Sequence, residues 1–113
     1  MTESAQQLDR TVTLILLDLY GALLTERTRE VLDLYLSEDL SLTEIGENLS
    51  ISRQGVHDAI ARGLASLHDF ESRLELMRKR QQSKRILDRA VDAIRSGDPQ
   101  TATNQLMSLS ELL

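Results

Sequence analysis

The chain of 113 residues contains no cysteine and no tryptophan, a single proline (Pro99), two histidines, one phenylalanine and two tyrosines. Without a thiol there can be no disulfide, no thiolate metal site and no cysteine nucleophile. Aromatics are 3% of the sequence and hydrophobic residues 41%, so a core has to be built from Leu, Ile, Val and Ala. With so little punctuation, that composition favours a helical bundle over a sheet. The apolar run from Val12 to Leu17 is far shorter than the ~20 residues a membrane helix needs. The start, MTESAQQLDR, lacks the basic residues that open a signal peptide, so no membrane insertion and a cytoplasmic location are expected. The five glycines are scattered and form no phosphate-cradling loop. His57 and His68 are each followed by Asp, but on one helix they stand roughly 16 Å apart and cannot share a metal. No metal, cofactor, small-molecule substrate or catalytic residue is expected, and the chain is read as a non-enzyme.

The length suits one domain, or one domain with a helical extension. The net charge of −5 is unevenly spread. Residues 1–72 hold five arginines and thirteen carboxylates, a balance of −8, whereas residues 73–113 hold eight basic and five acidic residues, a balance of +3. Two regions are expected: a helical domain over 1–72, and a basic helical extension over 73–113. An acidic front and a basic back imply two different partners, or one half docking on its counterpart in another copy.

The most informative stretch is Ser41 to Leu67, SLTEIGENLSISRQGVHDAIARGLASL. Ser41 can cap a helix while Glu44, three residues on, reaches back to the cap's own N–H. Leu42, Ile45 and Leu49 then form one apolar stripe. Asn48 to Ser52 leaves room only for a tight turn, with Leu49 and Ile51 pointing inward and Gly46 at the closest approach of two crossing helices. Ser52 can cap the next helix. Two short helices in this order make a helix-turn-helix. Val56, Ile60, Gly63, Leu64 and Leu67 face inward along the second helix, leaving Ser52, Arg53, Gln54, His57, Asp58 and Arg62 outward as the candidate DNA-binding set. A recognition helix offers its N-terminal residues to base edges, arginine suiting guanine and glutamine adenine.

These residues resemble region four of bacterial sigma factors and, more closely, the small YlxM family, whose members are encoded beside the protein components of the signal recognition particle. The likeness runs from Leu24-Thr25 and Leu34-Tyr35 through Asp39, Ser41-Leu42, Glu44-Ile45 and Glu47. It continues through Ile51-Ser52-Arg53-Gln54, Val56, Asp58, Ile60 and Arg62 to Leu67, Glu71 and Leu74. The resemblance implies an accessory role in the signal recognition particle pathway, touching its RNA or its GTPase.

Before the motif, Leu8, Val12, Ile15, Leu19 and Leu23 mark a helix from about Gln6 to Leu23. Thr25 is the expected cap of a second helix reaching about Leu36, with Val31, Leu32 and Tyr35 inward. After the motif, Val56, Ile60, Gly63, Leu67, Phe70, Leu74 and Met77 recur at alternating spacings of four and three. That seam predicts one rod running on to about Lys79, its edge covered by the C-terminal helices or by a second copy. Arg78, Lys79, Arg80, Lys84, Arg85 and Arg89 form the one basic cluster. They are candidates for phosphates or an acidic partner, or a solvated junction neutralising a helix C-terminus. A helix from about Ser83 to Arg95 is expected to bury Ile86, Leu87, Ala90, Val91 and Ile94. Gly97 ends it, Asp98-Pro99 starts the last helix, and Ala102, Leu106, Leu109 and Leu113 mark that helix's inner face.

The expected architecture is therefore all-α: a sigma region-four-like helix-turn-helix whose long recognition helix leads into a C-terminal helical hairpin. Three functions fit it. They are an accessory module with a homodimer as companion, a sequence-specific DNA-binding regulator, and a helical homodimer whose motif only packs. A charge balance of −1 over Ser41 to His68, from two arginines and three carboxylates, weakens the DNA-binding reading, because duplex affinity rests on phosphate neutralisation.

Overall fold

The computed structural model describes the backbone of residues 2–112 and the side chains of residues 9–112, so the side chains of Leu8 and Leu113 lie outside the described residues. Among these residues there are six α-helices and no strand. They are α1 (Thr2–Tyr20), α2 (Glu26–Leu32), α3 (Leu42–Leu49), α4 (Arg53–Leu74), α5 (Leu76–Arg95) and α6 (Pro99–Leu112). The chain forms two compact units, Met1–Leu74 and Glu75–Leu113.

The first unit is built around α4. Val56, Ile60, Gly63 and Leu67 are buried, and α1, α2 and α3 pack against that helix. The seam over these four positions is thus covered by the helices that precede it, which corrects the expectation that C-terminal helices or a second copy would cover it. Leu16, Leu17, Tyr20, Val31, Leu32 and Ile45 complete the core. Fully burying each such side chain contributes about 1.5–3 kcal/mol. Tyr20 shows why one polar handle can sit there. Its ring lies 5.8 Å from that of Phe70, and its hydroxyl donates to Glu71 Oε1 at 2.6 Å. A buried hydroxyl without a partner would cost several kcal/mol.

Local chemistry sets most helix ends. Thr25 Oγ1 accepts from Thr28 N–H at 3.3 Å and starts α2. The first helix ends at Tyr20 and tightens into a 3₁₀ turn over Gly21–Leu23. The second is α-helical only to Leu32 and then widens into a π turn over Asp33–Ser37. Arg10 from α1 supports the exit of that turn: its guanidinium donates to Leu36 O at 2.5 Å and lies 3.3 Å from Asp39. Asp39 itself has a left-handed backbone, φ 57°.

The expected single rod to Lys79 is not observed. Helix α4 stops at Leu74, Glu75 adopts φ 54° and ψ 32°, and α5 begins at Leu76. Local bonds accompany the break: Ser72 Oγ donates to Asp69 O at 2.9 Å, and Glu75 accepts from Arg78 Nη1 at 3.0 Å. A short hydroxyl bonding back to the helix backbone competes with the ladder and bends it. Met77 therefore belongs to α5 and lies beyond the end of α4. Phe70 is half-buried and Leu74 exposed.

The second unit is an antiparallel pair, α5 against α6. Gly97, at φ 75°, makes the left-handed turn that glycine permits. Asp98 then accepts from Thr101 N–H at 3.1 Å and from its hydroxyl at 2.5 Å, and Pro99 is the first residue of α6. Of the expected inner faces, Ala90 and Ala102 are buried, with Ala93 beside them, and Ile86 and Leu109 are half-buried. The correction falls on Leu87, Val91 and Ile94, which are 44%, 45% and 61% exposed, and on Leu106, which is 45% exposed. Small side chains let the two helices approach closely, and the larger ones are left on a flank.

Candidate nucleic-acid interface

Helix α3 starts with a complete capping box. Ser41 Oγ accepts from Glu44 N–H at 3.1 Å, and Glu44 Oε1 accepts from Ser41 N–H at 3.0 Å. The backbone N–H of Ser41, then its side-chain contact, holds the Glu44 carboxyl below its ordinary pKa. A depressed folded-state pKa contributes stability that is present above the unfolded value and is lost as pH falls through the folded one. Replacing Ser41 by alanine is expected to cost about 1 kcal/mol at neutral pH. The deficit relative to the natural chain should shrink as pH drops below the ordinary carboxylate range, a difference that thermal melts at neutral and acid pH would read.

The turn follows from two features. Ser50 adopts the left-handed conformation, φ 59° and ψ 43°, and Ile51 N–H donates to Gly46 O at 3.0 Å. A Cβ on Gly46 would come within 2.8 Å of Ile51 O, so the absence of a side chain there lets α3 and the turn close on each other. Ser52 Oγ accepts from Gly55 N–H at 2.9 Å and caps α4. Arg27 reaches the same turn from α2, 3.5 Å from Leu49 O.

Ser52, Arg53, Gln54, His57 and Asp58 are exposed on or just before the first turns of α4. Three of them form a local network: Gln54 Nε2 donates to Asp58 Oδ1 at 3.0 Å, and His57 Nδ1 lies 3.6 Å from the same oxygen. To read a base, Gln54 has to release Asp58, whose carboxylate also repels phosphate. Arg62 does not share this edge. Nine residues beyond Arg53 is two and a half helical turns, so the two lie on opposite edges of the rod. Arg62 instead lines a cleft of about 230 Å³ with Leu23, Leu24, Thr25, Thr28, Ser66 and Phe70.

The basic cluster on α5 also divides. At ~100° per residue, Arg78, Arg85 and Arg89 share one edge, Arg80 and Lys84 the opposite one, and Lys79 lies between them. Arg85 and Arg89 border a groove of about 440 Å³ with Gln82, Ile86, Ser108, Glu111 and Leu112. Arg78, Lys79 and Arg80 follow closely on Leu74, the last residue of α4, Arg78 lies 3.0 Å from Glu75, and all six cations are exposed, which accords with the solvated-junction reading.

The comparisons with known proteins agree with this geometry. Residues 8–107 match the model of UPF0122, described as "Putative helix-turn-helix protein, YlxM / p13 like". The chain belongs to the UPF0122 family. A UPF0122 protein of Halalkalibacterium halodurans is 39% identical over 107 residues, 94% of this chain and 95% of that relative. One of Acetivibrio thermocellus is 56% identical over 75 residues, 66% of this chain and 64% of that relative's length. One of Symbiobacterium thermophilum is 40% identical over 95 residues, 84% and 89% of the two chains. The UPF0122 match, residues 8–107, spans most of both units.

Arg10, which ties α1 to the π turn and Asp39, and the Tyr20–Glu71 pair, which ties it to α4, escaped sequence reasoning. Their partners lie 26 and 51 residues away, beyond any local signal. Among the described residues no group of three or more His, Cys, Asp or Glu is placed to hold a metal, and no helix is long and apolar enough to cross a membrane.

Proposed function

We propose that this UPF0122 protein is a non-enzymatic accessory module that binds nucleic acid through the start of α4 and works as a homodimer in the signal recognition particle pathway. The observation that carries the reading is the capped α3–turn–α4 geometry with Arg53, Gln54 and His57 exposed at the leading end of the long helix. The charge distribution favours an accessory role over a free-standing transcriptional regulator. Unit 1 has six arginines against thirteen carboxylates, and unit 2 has seven basic residues against five acidic ones. An acidic unit complements a basic protein surface and a basic helix complements an RNA backbone, and such complementarity steers association. Dimerisation would compensate for a weak single motif by presenting two recognition helices.

Affinity capture of the full chain from a cell extract, with and without nuclease, tests the proposal. Recovery of the particle's RNA and GTPase is expected. It should fall when nuclease is added and when Arg78, Lys79, Arg80, Lys84 and Arg85 are replaced by glutamine. Recovery of neither component, or recovery untouched by both changes, would overturn the reading.

A further inference from the structure

The hairpin has two unlike sides. Arg85 and Arg89 of α5 and Ser108 and Glu111 of α6 border the groove on one side. Residues two apart on a helix point ~200° from each other, so Leu87 is opposed to Arg89 and Leu106 to Ser108. Leu87 and Leu106 therefore lie on the other side, and Val91 and Ile94 continue the Leu87 stripe at spacings of four and three. All four are between 44% and 61% exposed. The unit's own interior is meagre: its buried side chains are Ala90, Ala93 and Ala102. A stretch of about 40 residues with so small a core ordinarily needs a metal, a disulfide or association to hold its fold. Cysteine is absent from the chain, which leaves association as the natural remedy.

We infer that the Leu87, Val91, Ile94 and Leu106 side of the hairpin docks on the same side of a second copy, forming an antiparallel four-helix bundle with α5 lying across its partner α5. Two features select a second copy over an unrelated partner. The stripe is self-complementary, because a two-fold axis beside Val91 sets Leu87 against the partner's Ile94 and Val91 against its own counterpart, the isologous pattern of a two-fold dimer. The charges also run the right way. The half of α5 from Leu76 to Arg85 carries Arg78, Lys79, Arg80, Lys84 and Arg85 with no carboxylate, whereas Ile86 to Asp98 sets Asp88, Asp92 and Asp98 against Arg89 and Arg95, a balance of −1. Cations near a helix N-terminus oppose its dipole. About that axis an antiparallel partner brings its own helix C-terminus and Asp98 opposite them. This locates the interface of the proposed homodimer, and it stands whether or not α4 meets nucleic acid.

Sedimentation of the full chain, free of nucleic acid, is the test. The natural protein should sediment at twice 12.7 kDa, and Val91→Glu and Ile94→Glu should each reduce it to the single-chain mass with helicity kept in the first unit. Because the chain is cysteine-free, a single Val91→Cys provides an independent reading that preserves the apolar face. Under mild oxidation with oxidised glutathione it should form a covalent dimer, since the two-fold axis brings the two thiols within bonding distance. Arg89→Cys on the opposite side should not. A natural chain that sediments as a monomer, a dimer unaffected by both glutamates, or cross-linking through Arg89→Cys in place of Val91→Cys would each overturn the inference.

Discussion

Substitution of Gly63 by leucine is expected to unfold the first unit, lowering its stability by more than about 3 kcal/mol. A Cβ at this position would lie 2.7 Å from Leu32 Cδ1, 2.9 Å from Thr28 Cγ2 and 3.2 Å from Leu32 Cγ. Leu32 is wholly buried, so it has no space into which to swing. Alanine measures the first part of the clash. Its helix propensity returns about 1 kcal/mol over glycine, while overpacking costs about 1–3 kcal/mol, so Gly63→Ala should be neutral to mildly destabilising. Leucine adds three more heavy atoms at the same crossing and has to part α2 from α4. The loss is a large share of the ~5–15 kcal/mol that holds a domain together. Gly21 provides the control. A Cβ there would make only ordinary contact, 3.5 Å from Leu17 Cδ1, so Gly21→Ala should shift a denaturant midpoint little while Gly63→Leu abolishes the transition.

The second large effect concerns the start of α4. Replacement of Arg53 by alanine is expected to reduce nucleic-acid affinity roughly ten- to a hundredfold, the ~1–3 kcal/mol typical of a good arginine–base pair. Replacement of Asp58 by asparagine should move it the other way, severalfold tighter, because it removes a carboxylate from the approaching face and weakens the charge-assisted bond that holds Gln54. Opposite signs from two exposed residues five positions apart are difficult to produce by general destabilisation. Thermal melts of both variants close to the natural value would confirm that the fold is intact.

The helix-turn-helix could be read from the sequence because its determinants are local. Ser41 with Glu44, Thr25 with Thr28, Ser52 with Gly55, and Gly97 followed by Asp98 and Pro99 each act within a few residues. The all-α class followed from composition and spacing for the same reason. Periodicity could show that Val56, Ile60, Gly63 and Leu67 are buried but could not say by what, since a stripe does not name its partner. The break at Glu75 carried no signal: neither glycine nor proline marks it, and the apolar spacing runs straight through. Hydrophobicity misplaced the inner face of α5. It set Leu87, Val91 and Ile94 beside Ala90, whereas close approach to α6 favours the small Ala90 and Ala93. At the candidate interface, spacing found the exposed set, but it could not see that Gln54 and His57 are both turned toward Asp58 or that Arg62 is on a different edge.

Titration of the full chain against duplex DNA and single-stranded RNA over a series of salt concentrations tests the central claim most directly, because phosphate neutralisation gives log K a negative slope against log salt. Binding at low salt that weakens as salt rises, and that Arg53→Ala largely removes on at least one of the two nucleic acids, is the predicted result. No binding to either at the lowest salt, or binding that Arg53→Ala leaves intact on both, would contradict the account.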